Sequence, residues 1–541
     1  MTIDSETKST TELRGVPWLG FLPHLLVAGA VLGLFAVFLQ VRFLRWGVIA
    51  SGQWLPLIAT FVLLGIAVSL AGGAAVRLLR RGGAGSRAVP IGVGVALTLL
   101  FFLVFVPWNV RGLPHVYLLV TDTTRRDHLS LYGYERETTP FLTKMAGEAV
   151  FFRNMVSQGS HTIVSTPCIL ASCYPSEHGI TGYSQVLSPH FTLLSEYLRE
   201  RGYKTYGYAT NPHLGPQSGY SQGFDTYEYD PGWAQTPASF VNGRFLQWID
   251  GEEGRPVFGF LFYIDMHNPY NCPPEFQRLF DPEWLGEPVT DWYQGPNNKP
   301  DPPTLRNIIA QYDGAIAFWD AELGKLVAGL DERGLWENSI FLYTSDHGEE
   351  FWEHGYWGHN RSLYEESIGV PLVISLPPPV KLPKMKRASG VVGDVASSVD
   401  IVPTVLEYLR IMPDPNVRGR SLASLVLGTG DPGPERRAYC EEILNRYGPY
   451  DLRGLRSERY KYVMTFQYEG ARDLDDQFFD LEADPAEMRN AIRDLTDEAE
   501  DHRQMLAALV KEISGYAPAR VDTIVIDEAT RERLRALGYL E

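Results

Sequence analysis

Three long apolar segments stand near the amino terminus of the chain, at residues 19–41, 54–76 and 88–108, and none contains Asp, Glu, Lys or Arg. Each is long enough to cross the hydrocarbon core of a bilayer, which takes about 20 apolar residues. Tryptophans stand near the ends of the segments, as they do at membrane interfaces. The pattern predicts three transmembrane helices that form a membrane anchor in residues 1–112.

Positive charges in the short loops predict how this anchor is oriented. The segment before the first apolar run and the loop between the second and third carry six Lys or Arg together, against two between the first and second. Because loops rich in Lys and Arg remain in the cytoplasm, we expect a multi-pass protein of the cytoplasmic membrane. The rest of the chain is then extracytoplasmic, in the periplasm or outside the cell.

Beyond the anchor, short apolar runs alternate with segments of helical periodicity. The runs at His115–Thr121, Val257–Ile264 and Ile340–Ser345 are continuous, as in strands that are buried on both faces. Residues 306–330 repeat apolar positions at a spacing of three to four, which predicts a helix. Alternating strands and helices predict an α/β fold with a mostly parallel sheet flanked by helices.

Glycine and proline cluster at residues 428–434, which predicts a loop between two parts of the fold. We expect a catalytic domain over residues 113–430. A smaller α+β subdomain over residues 431–541 is expected to complete it.

Composition narrows the class of protein further. The 541-residue chain has a net charge of −17 although residues 1–111 are basic, so the acidic excess lies beyond the anchor. A strongly acidic domain binds nucleic acid poorly, because that binding depends on Lys and Arg contacts to phosphates. We therefore expect the membrane, and no nucleic acid, as a partner. Four cysteines in the whole chain exclude a disulfide-based scaffold.

Acidic residues follow two of the predicted strands. Asp122 comes directly after the first strand, and Asp346 and His347 come directly after the third. Ligands of open α/β sheets bind beyond the carboxyl ends of the strands, so these side chains are expected to meet. Carboxylates with one imidazole suit one divalent metal ion, Mn²⁺, Mg²⁺, Zn²⁺ or Ca²⁺. The alternative is that each Asp only caps a turn.

Nine segments of the chain carry a resemblance to a known family. They follow one another in the family's order: Val116–Ala146, Tyr174–Gly182, Tyr263–Pro274, Tyr343–Glu366, Ser398–Glu407, Val417–Leu422, Arg456–Val463, Phe479–Glu487 and Leu534–Leu540. Together they resemble the sulfatase family of the alkaline-phosphatase-like superfamily, over essentially all of the chain beyond the anchor. The resemblance implies an alkaline-phosphatase-like fold and the hydrolysis or transfer of esters.

The resemblance also implies a set of metal ligands. Asp122, Asp346 and His347 match the family's ligand positions. Thr123 stands where many sulfatases have another metal-binding Asp. One metal ion is therefore expected, with Thr162 as a further ligand.

Several histidines match positions that act on the ester in this family. His267 and His359 fall where the family places catalytic residues that contact the ester oxygens or the leaving group. A second metal held by Asp265 together with these two histidines, as in two-metal members, is the less favoured alternative. Substrate-binding roles are implied for His354, His178 and Arg125.

The nucleophile position departs from the sulfatase pattern. Sulfatases convert Cys or Ser of a C/S-x-P-x-R motif to formylglycine, at a fixed distance before a Tyr-Pro-x-x-His-Gly segment. Counting back thirteen residues from Pro175 gives Thr162, with Val164 in place of the Pro and Thr166 in place of the Arg. Threonine is not a formylglycine precursor.

Two partial matches to the motif compete with this assignment. Cys173 has C-x-P and Ser165 has S-x-P, but neither is followed by the Arg. The apolar Ile169 and Leu170 predict a helix that begins near Ser165, whose free amide groups would face an anionic ester. Cys168 and Cys173 are expected on that same helix.

A threonine nucleophile is similar to that of phosphoethanolamine transferases, lipoteichoic acid synthases and nucleotide pyrophosphatase/phosphodiesterases, which act on phosphorus. The sequence therefore favours a metal-dependent hydrolase or phosphotransferase that acts on phosphate-type esters through Thr162. A sulfatase (sulfuric ester hydrolase) and a non-catalytic membrane protein with the sulfatase fold are the alternatives.

The short link between anchor and first strand bears on the substrate. The third apolar segment ends near Trp108 and the strand begins near His115. A strand rises roughly 3.3 Å per residue, so Asp122 would lie roughly 26 Å or less from the strand base. This favours a lipid-linked or envelope-bound ester, unless the anchor merely tethers a soluble-type enzyme.

Overall fold

The computed structural model describes residues 112–182, 184–230, 236–252, 254–270, 272–284, 299–377, 389–428, 433–443, 450–467, 475–515, 522–523 and 531. The three predicted membrane spans lie outside these residues, so the anchor and its orientation stay predictions. Within the described ranges, no helix is both long enough and apolar enough to cross a membrane.

Strands and helices alternate along most of the described chain. The strands are β1 His115–Thr121, β2 Val150–Val156, β3 Gln185–Val186, β4 Lys204–Ala209, β5 Thr226–Tyr229, β6 Val257–Tyr263, β7 Ser339–Ser345, β8 Glu350–Phe351, β9 Trp357–Gly358, β10 Leu372–Ser375, β11 Gly390–Ser397, β12 Ala438–Glu442, β13 Tyr450–Arg456, β14 Tyr460–Gln467, β15 Gln477–Asp480 and β16 Asp522–Thr523. The helices are α1 Pro140–Met145, α2 Thr162–Ala171, α3 Pro175–His178, α4 Leu194–Glu200, α5 Ala238–Ile249, α6 Pro274–Gln277, α7 Pro302–Glu332, α8 Glu365–Ile368, α9 Ile401–Tyr408, α10 Ala423–Leu427 and α11 Thr496–Ser514.

The main sheet has eight strands in the order β11-β2-β10-β7-β1-β6-β4-β5. All neighbours are parallel except β10, which is antiparallel to both β2 and β7. Helices α5 and α7 pack on the sheet through one large apolar core. The predicted α/β fold, with a mostly parallel sheet flanked by helices, is confirmed.

The register at the centre of this sheet brings two acidic positions to the same level. Thr121 at the end of β1 pairs with Ser345 at the end of β7. The next residue of each strand is an aspartate, so Asp122 and Asp346 leave neighbouring strands at the same edge. This is the carboxyl edge, where ligands of open parallel sheets bind.

The predicted strands agree with the structure to within one residue. The observed helix is longer than the apolar pattern that predicted it. Helix α7 begins four residues earlier than residue 306, because Asp301 caps it by accepting a hydrogen bond from the Thr304 amide at 2.9 Å. Pro302 follows at the first helical position, where a missing amide costs nothing. The capping residues, rather than the periodicity, set where this helix starts.

A second, antiparallel sheet follows in the chain, in the order β12-β13-β14-β15. Helix α11 packs on one face through a separate apolar cluster that includes Tyr462, Phe478 and Leu506. The fully buried Lys461 of β14 donates to the Leu363 carbonyl at 2.6 Å, which ties this sheet to the segment before α8. The proposed boundary near residue 430 stays a prediction.

Candidate active site

Three predicted metal ligands meet at the carboxyl edge of the main sheet. Asp122, Asp346 and His347 are fully buried. The Nε2 atom of His347 lies 3.5 Å from Asp122 Oδ1 and 3.5 Å from Asp346 Oδ2. Among the described residues, this is the one group of three ligating side chains whose donor atoms all lie within 4.8 Å of one another.

The two carboxylates of this cluster each direct one oxygen to the protein and keep one without a partner. Asp122 Oδ2 accepts from Asn211 Nδ2 at 2.7 Å, and Asp346 Oδ1 accepts from the backbone amides of Thr123 at 3.2 Å and His347 at 2.7 Å. Asp122 Oδ1 and Asp346 Oδ2 have no hydrogen-bond donor. Burial, and then the charge of Asp122, raise the pKa of Asp346 well above its ordinary value.

The orientation of His347 completes a donor set for a cation. Its Nδ1–H group donates to the Gly348 carbonyl at 2.9 Å, which leaves the Nε2 lone pair facing the two carboxylates. Burial, followed by the neighbouring His359, lowers the pKa of His347 to about 3, so the ring is neutral near pH 7. Two buried carboxylates with facing lone pairs are costly unless a cation joins them. The residues therefore fit a divalent metal ion.

Thr162 lies beside this cluster. Its Oγ1 atom is 3.3 Å from His347 Nε2 and 3.4 Å from Asn211 Nδ2. Helix α2 begins at Thr162 itself, three residues earlier than expected, because the His161 carbonyl accepts the first helical hydrogen bonds. The hydroxyl is therefore placed in the first turn, at the positive end of the helix dipole.

The competing nucleophile positions are occupied by local contacts. The Ser165 hydroxyl donates to the His161 carbonyl at 3.0 Å. Cys173 is buried, its thiol contacts the Pro167 carbonyl at 3.8 Å, and burial raises its pKa well above the ordinary value. Cys173 lies beyond the end of α2, so the expectation that it shares a helix with Cys168 was wrong. A protonated, buried thiol is a poor nucleophile.

Two of the predicted histidines lie next to the cluster. The ring of His359 is centred 4.6 Å from that of His347, and the ring of His267 is centred 5.3 Å from that of His359. Glu349 Oε1 lies 3.1 Å from His359 Nδ1, and His267 Nδ1 donates to the Asn268 carbonyl at 2.7 Å. Both rings are thus held at one nitrogen beside the predicted metal ligands.

Two other predicted histidines have structural partners. His178 Nε2 donates to the Val164 carbonyl at 3.1 Å, its Nδ1 accepts the Ile180 amide at 3.0 Å, and burial lowers its pKa to about 4. His354 Nδ1 lies 2.5 Å from Glu366 Oε1; burial opposes its charge, but Glu366 raises its pKa above the ordinary value. A substrate-binding role for either histidine stays a prediction that these contacts do not support.

Arg125 is held by acidic neighbours. Its guanidinium group makes two hydrogen bonds to Asp127, at 3.0 and 2.8 Å, and one to Glu353 at 2.5 Å. It also donates to the Glu349 carbonyl at 3.0 Å. These contacts position the loop after β1, and a substrate-binding role for Arg125 stays a prediction.

The alternative second metal site is not assembled in the structure. Asp265 Oδ1 accepts the Ala238 amide at 3.0 Å, and burial raises the pKa of this carboxyl to about 7. Asp265 does not join His267 and His359 in any ligand cluster of the described chain. Thr123, which stands in place of the further metal-binding Asp of many sulfatases, donates its hydroxyl to the Met266 carbonyl at 2.8 Å.

Two residues of the site were not predicted from the sequence. Asn211 contacts both Asp122 and Thr162, and its Oδ1 accepts the His213 amide at 2.9 Å. Burial, and then His267 and the neighbouring His359, lower the pKa of His213 to about 3. Both residues follow β4 at the same edge of the sheet, so extending the search to every polar residue after a parallel strand would have found them.

A mostly parallel α/β sheet that carries a carboxylate–imidazole cluster and a helix-borne hydroxyl at its carboxyl edge is an arrangement for metal-assisted ester chemistry. The sequence model of the Sulfatase family matches residues 114–411, just over half of the chain. A second model, N-sulphoglucosamine sulphohydrolase, C-terminal, matches residues 352–515. The chain belongs to the sulfatase family of the alkaline phosphatase superfamily and is a sulfatase-like hydrolase, so the predicted family is confirmed.

Individual relatives include enzymes named for different esters. An arylsulfatase of Clostridium perfringens is 26% identical over 485 residues, which cover 76% of this chain and 96% of the relative. The phosphonate monoester hydrolase structure of Agrobacterium radiobacter has a TM-score of 0.60 at 21% identity and covers 76% of this chain and 97% of its own. That of Silicibacter pomeroyi has a TM-score of 0.62 at 20% identity, with coverages of 76% and 99%. These two structures share the fold.

Proposed function

We propose that the chain cleaves phosphate-type esters with Thr162 as its nucleophile, either by hydrolysis or by transfer to an acceptor. The observation that carries the proposal is the Thr162 hydroxyl at the start of α2, 3.3 Å from His347 Nε2 and 3.4 Å from Asn211 Nδ2. An unactivated hydroxyl is a weak nucleophile, and this position supplies the neighbours that activate one.

The chemistry of the intermediate favours phosphorus over sulfur. A formylglycine hydrate releases sulfate by collapsing to an aldehyde, and a sulfated threonine has no such route. A phosphorylated threonine can be attacked at phosphorus, with the bond to Thr162 Oγ1 breaking as the new bond forms. Because Thr162 cannot become formylglycine, the phosphate-type ester is the better match.

The first step can be assigned to named atoms. A divalent ion bound by Asp122, Asp346 and His347 would lower the pKa of the Thr162 hydroxyl and offset charge on the ester oxygens. The Thr162 hydroxyl, which lies beside His347 and Asn211, loses its proton to water. Oγ1 then bonds to phosphorus, and the bond from phosphorus to the leaving oxygen breaks.

The leaving oxygen needs a proton, and the histidines beside the cluster can supply one. Glu349 holds Nδ1 of His359, whose ring lies beside that of His347, and the ring of His267 lies next to it. We assign proton donation to these two side chains. In the second step, water or an alcohol attacks the phosphothreonine at phosphorus, which frees the Thr162 hydroxyl again.

The comparisons support more than one ester class. The two phosphonate monoester hydrolases with this fold support phosphorus as the reacting atom. The arylsulfatase relative, which aligns over nearly its whole length, supports a sulfatase as the second candidate.

A substrate panel separates the two candidates. Purified full-length protein is assayed on aryl phosphate, phosphodiester, phosphonate and sulfate esters, with and without added Mn²⁺, Zn²⁺, Mg²⁺ or Ca²⁺. We expect the highest kcat/KM on a phosphorus ester and dependence on a divalent metal. The Ser165→Ala variant is the matched control, because this hydroxyl lies on the same helix but donates to the His161 carbonyl. Preference for the sulfate ester, with Thr162→Ala still active, would favour the sulfatase.

We also propose that the ester is lipid-linked or bound to the cell envelope. The proposal is supported by the apolar segments before residue 109 and by the position of β1, which begins at His115 and ends one residue before Asp122. The test compares full-length protein with residues 113–541 on bilayer-embedded substrate at equal enzyme. Equal rates would contradict the proposal.

A further inference from the structure

Strand β12 of the second sheet ends in two consecutive buried glutamates, Glu441 and Glu442. Both side chains reach out of their own sheet to serine residues near helix α2. Glu442 contacts Ser160, two residues before Thr162, whereas Glu441 contacts Ser176 in the short helix α3. Burying a carboxylate is costly, so each contact calls for a physical reason.

The contacts of Glu442 fix the segment that leads into α2. The Ser160 hydroxyl donates to Glu442 Oε2, and His161 Nδ1 lies 3.9 Å from Glu442 Oε1. On its other side, the Ser160 carbonyl accepts the Asn360 amide at 3.1 Å. Burial raises the pKa of Glu442 to about 8, against the hydrogen bonds from Ser160 that favour its charged form. Ser160 is therefore held from two elements directly before the helix starts.

The neighbouring Glu441 makes contacts of the same kind, but to a different segment. It accepts from the Ser176 hydroxyl at 2.9 Å and from the Ser176 amide at 3.2 Å. Its other oxygen pairs with Arg453 Nε at 3.1 Å. This ion pair lies between strands of the second sheet, so Glu441 has a structural explanation that does not involve the site.

We propose that Glu442 is a positioning residue for the nucleophile: by holding Ser160 it sets where α2 begins and so where Thr162 Oγ1 stands relative to His347. The proposal rests on Thr162 being the nucleophile. Misplacing a reacting atom by 1 Å can lower a rate by about 100-fold. The second sheet then contributes to catalysis through one side chain. Glu442 acts on Thr162 through only three residues of backbone, 160–162.

Two double-mutant cycles in the full-length protein test this role. The first combines Glu442→Ala with Ser160→Ala, and the matched control combines Glu441→Ala with Ser176→Ala. We expect each single change in the first pair to lower kcat by about 10- to 100-fold with KM changed less than about threefold, and the double variant to be no slower than the worse single. In the control pair, kcat should stay within about twofold, whatever the loss in Tm. Glu442→Gln, which keeps an acceptor oxygen for Ser160, should recover most of kcat.

The outcomes separate this inference from the proposed function. An inactive Thr162→Ala variant together with wild-type kcat in folded Glu442→Ala and Ser160→Ala would overturn the positioning role alone. Equal losses of kcat in both cycles would also overturn it, because the effect would then be structural. An active Thr162→Ala variant would overturn the proposed function, on which the inference rests. If Glu442→Ala fails to fold, Ser160→Ala and Glu442→Gln carry the test.

Discussion

Charged side chains are buried at two places in this molecule, and their charges are balanced differently. At the junction of the two sheets, Lys461 lies 2.6 Å from Glu487 and 3.4 Å from Glu365, and Glu365 also pairs with Arg126. At the carboxyl edge of the main sheet, the imidazole of His347 lies between Asp122 and Asp346. Among the described ion pairs, neither aspartate has a Lys or Arg partner.

The difference indicates which cluster has a structural role and which is suited to bind a metal ion. The junction is neutralised by the protein's own cations, so it stabilises the contact between sheets without any ligand. At the site, two carboxylate oxygens face an imidazole nitrogen, and neither oxygen accepts a hydrogen bond. When both carboxylates are ionised, a bound cation would balance their charge, which ties metal binding to function.

The largest effect is expected from breaking the site. Asp346→Asn should lower kcat by at least about 10³-fold, because metal assistance contributes several kcal/mol to such reactions. The same change should leave the chelator-treated protein as stable as wild type or more so, because it removes like-charge repulsion between buried carboxylates. Activity assays, elemental analysis and thermal unfolding with and without chelator measure both effects. A large loss of stability in the metal-free state would contradict the account of this cluster.

A change at the junction should lower the stability of the protein and leave metal binding unchanged. Lys461→Met should destabilise the protein by about 3–5 kcal/mol, because Glu487 and Glu365 would be left buried without their cation. Metal content per folded molecule should not change. The double variant Lys461→Met/Glu487→Gln should recover part of the stability in denaturant unfolding. If the single variant is as stable as wild type, the junction is not the structural element described here.

A smaller effect, on the pH dependence of stability, sharpens the comparison. The pKa of Asp346 is raised, and burial raises that of Glu349 to about 8, so each stabilises the fold while protonated and loses this contribution as pH rises through its folded-state pKa. Metal-free protein should therefore lose several degrees of Tm between about pH 6 and about pH 9. A bound cation keeps Asp346 ionised, so the loss should be smaller with metal. Parallel Tm curves with and without metal would contradict this.

Local sequence patterns were sufficient to predict the strands at the centre of the main sheet. The continuous apolar runs of β1 and β7 predicted their bounds, and the aspartates that follow them are adjacent because the strands are parallel. Asn211 was missed because its contacts with Asp122 and Thr162 join residues that are far apart in the chain. No local pattern reports such contacts.

The start of α2 and the partners of the histidines show the same limit. An apolar pattern cannot locate a helix start made of polar residues, so α2 was placed at Ser165 instead of Thr162. His178 matches the family's segment, yet its ring is held by the Val164 carbonyl, a contact that only the packing of α2 on α3 creates. Residue type and spacing predicted which groups gather at the site, and the fold decided which of them face it.

The central claim is that Thr162 forms the covalent intermediate on a phosphorus ester. The most direct measurement is rapid acid quench of metal-loaded enzyme during turnover of an aryl phosphate or phosphonate, followed by peptide mass spectrometry. We predict phosphorylation or phosphonylation of Thr162 in wild type and none in Thr162→Ala, which should also lose at least about 10³-fold in kcat. Modification of another residue, or unchanged turnover by Thr162→Ala, would contradict the claim.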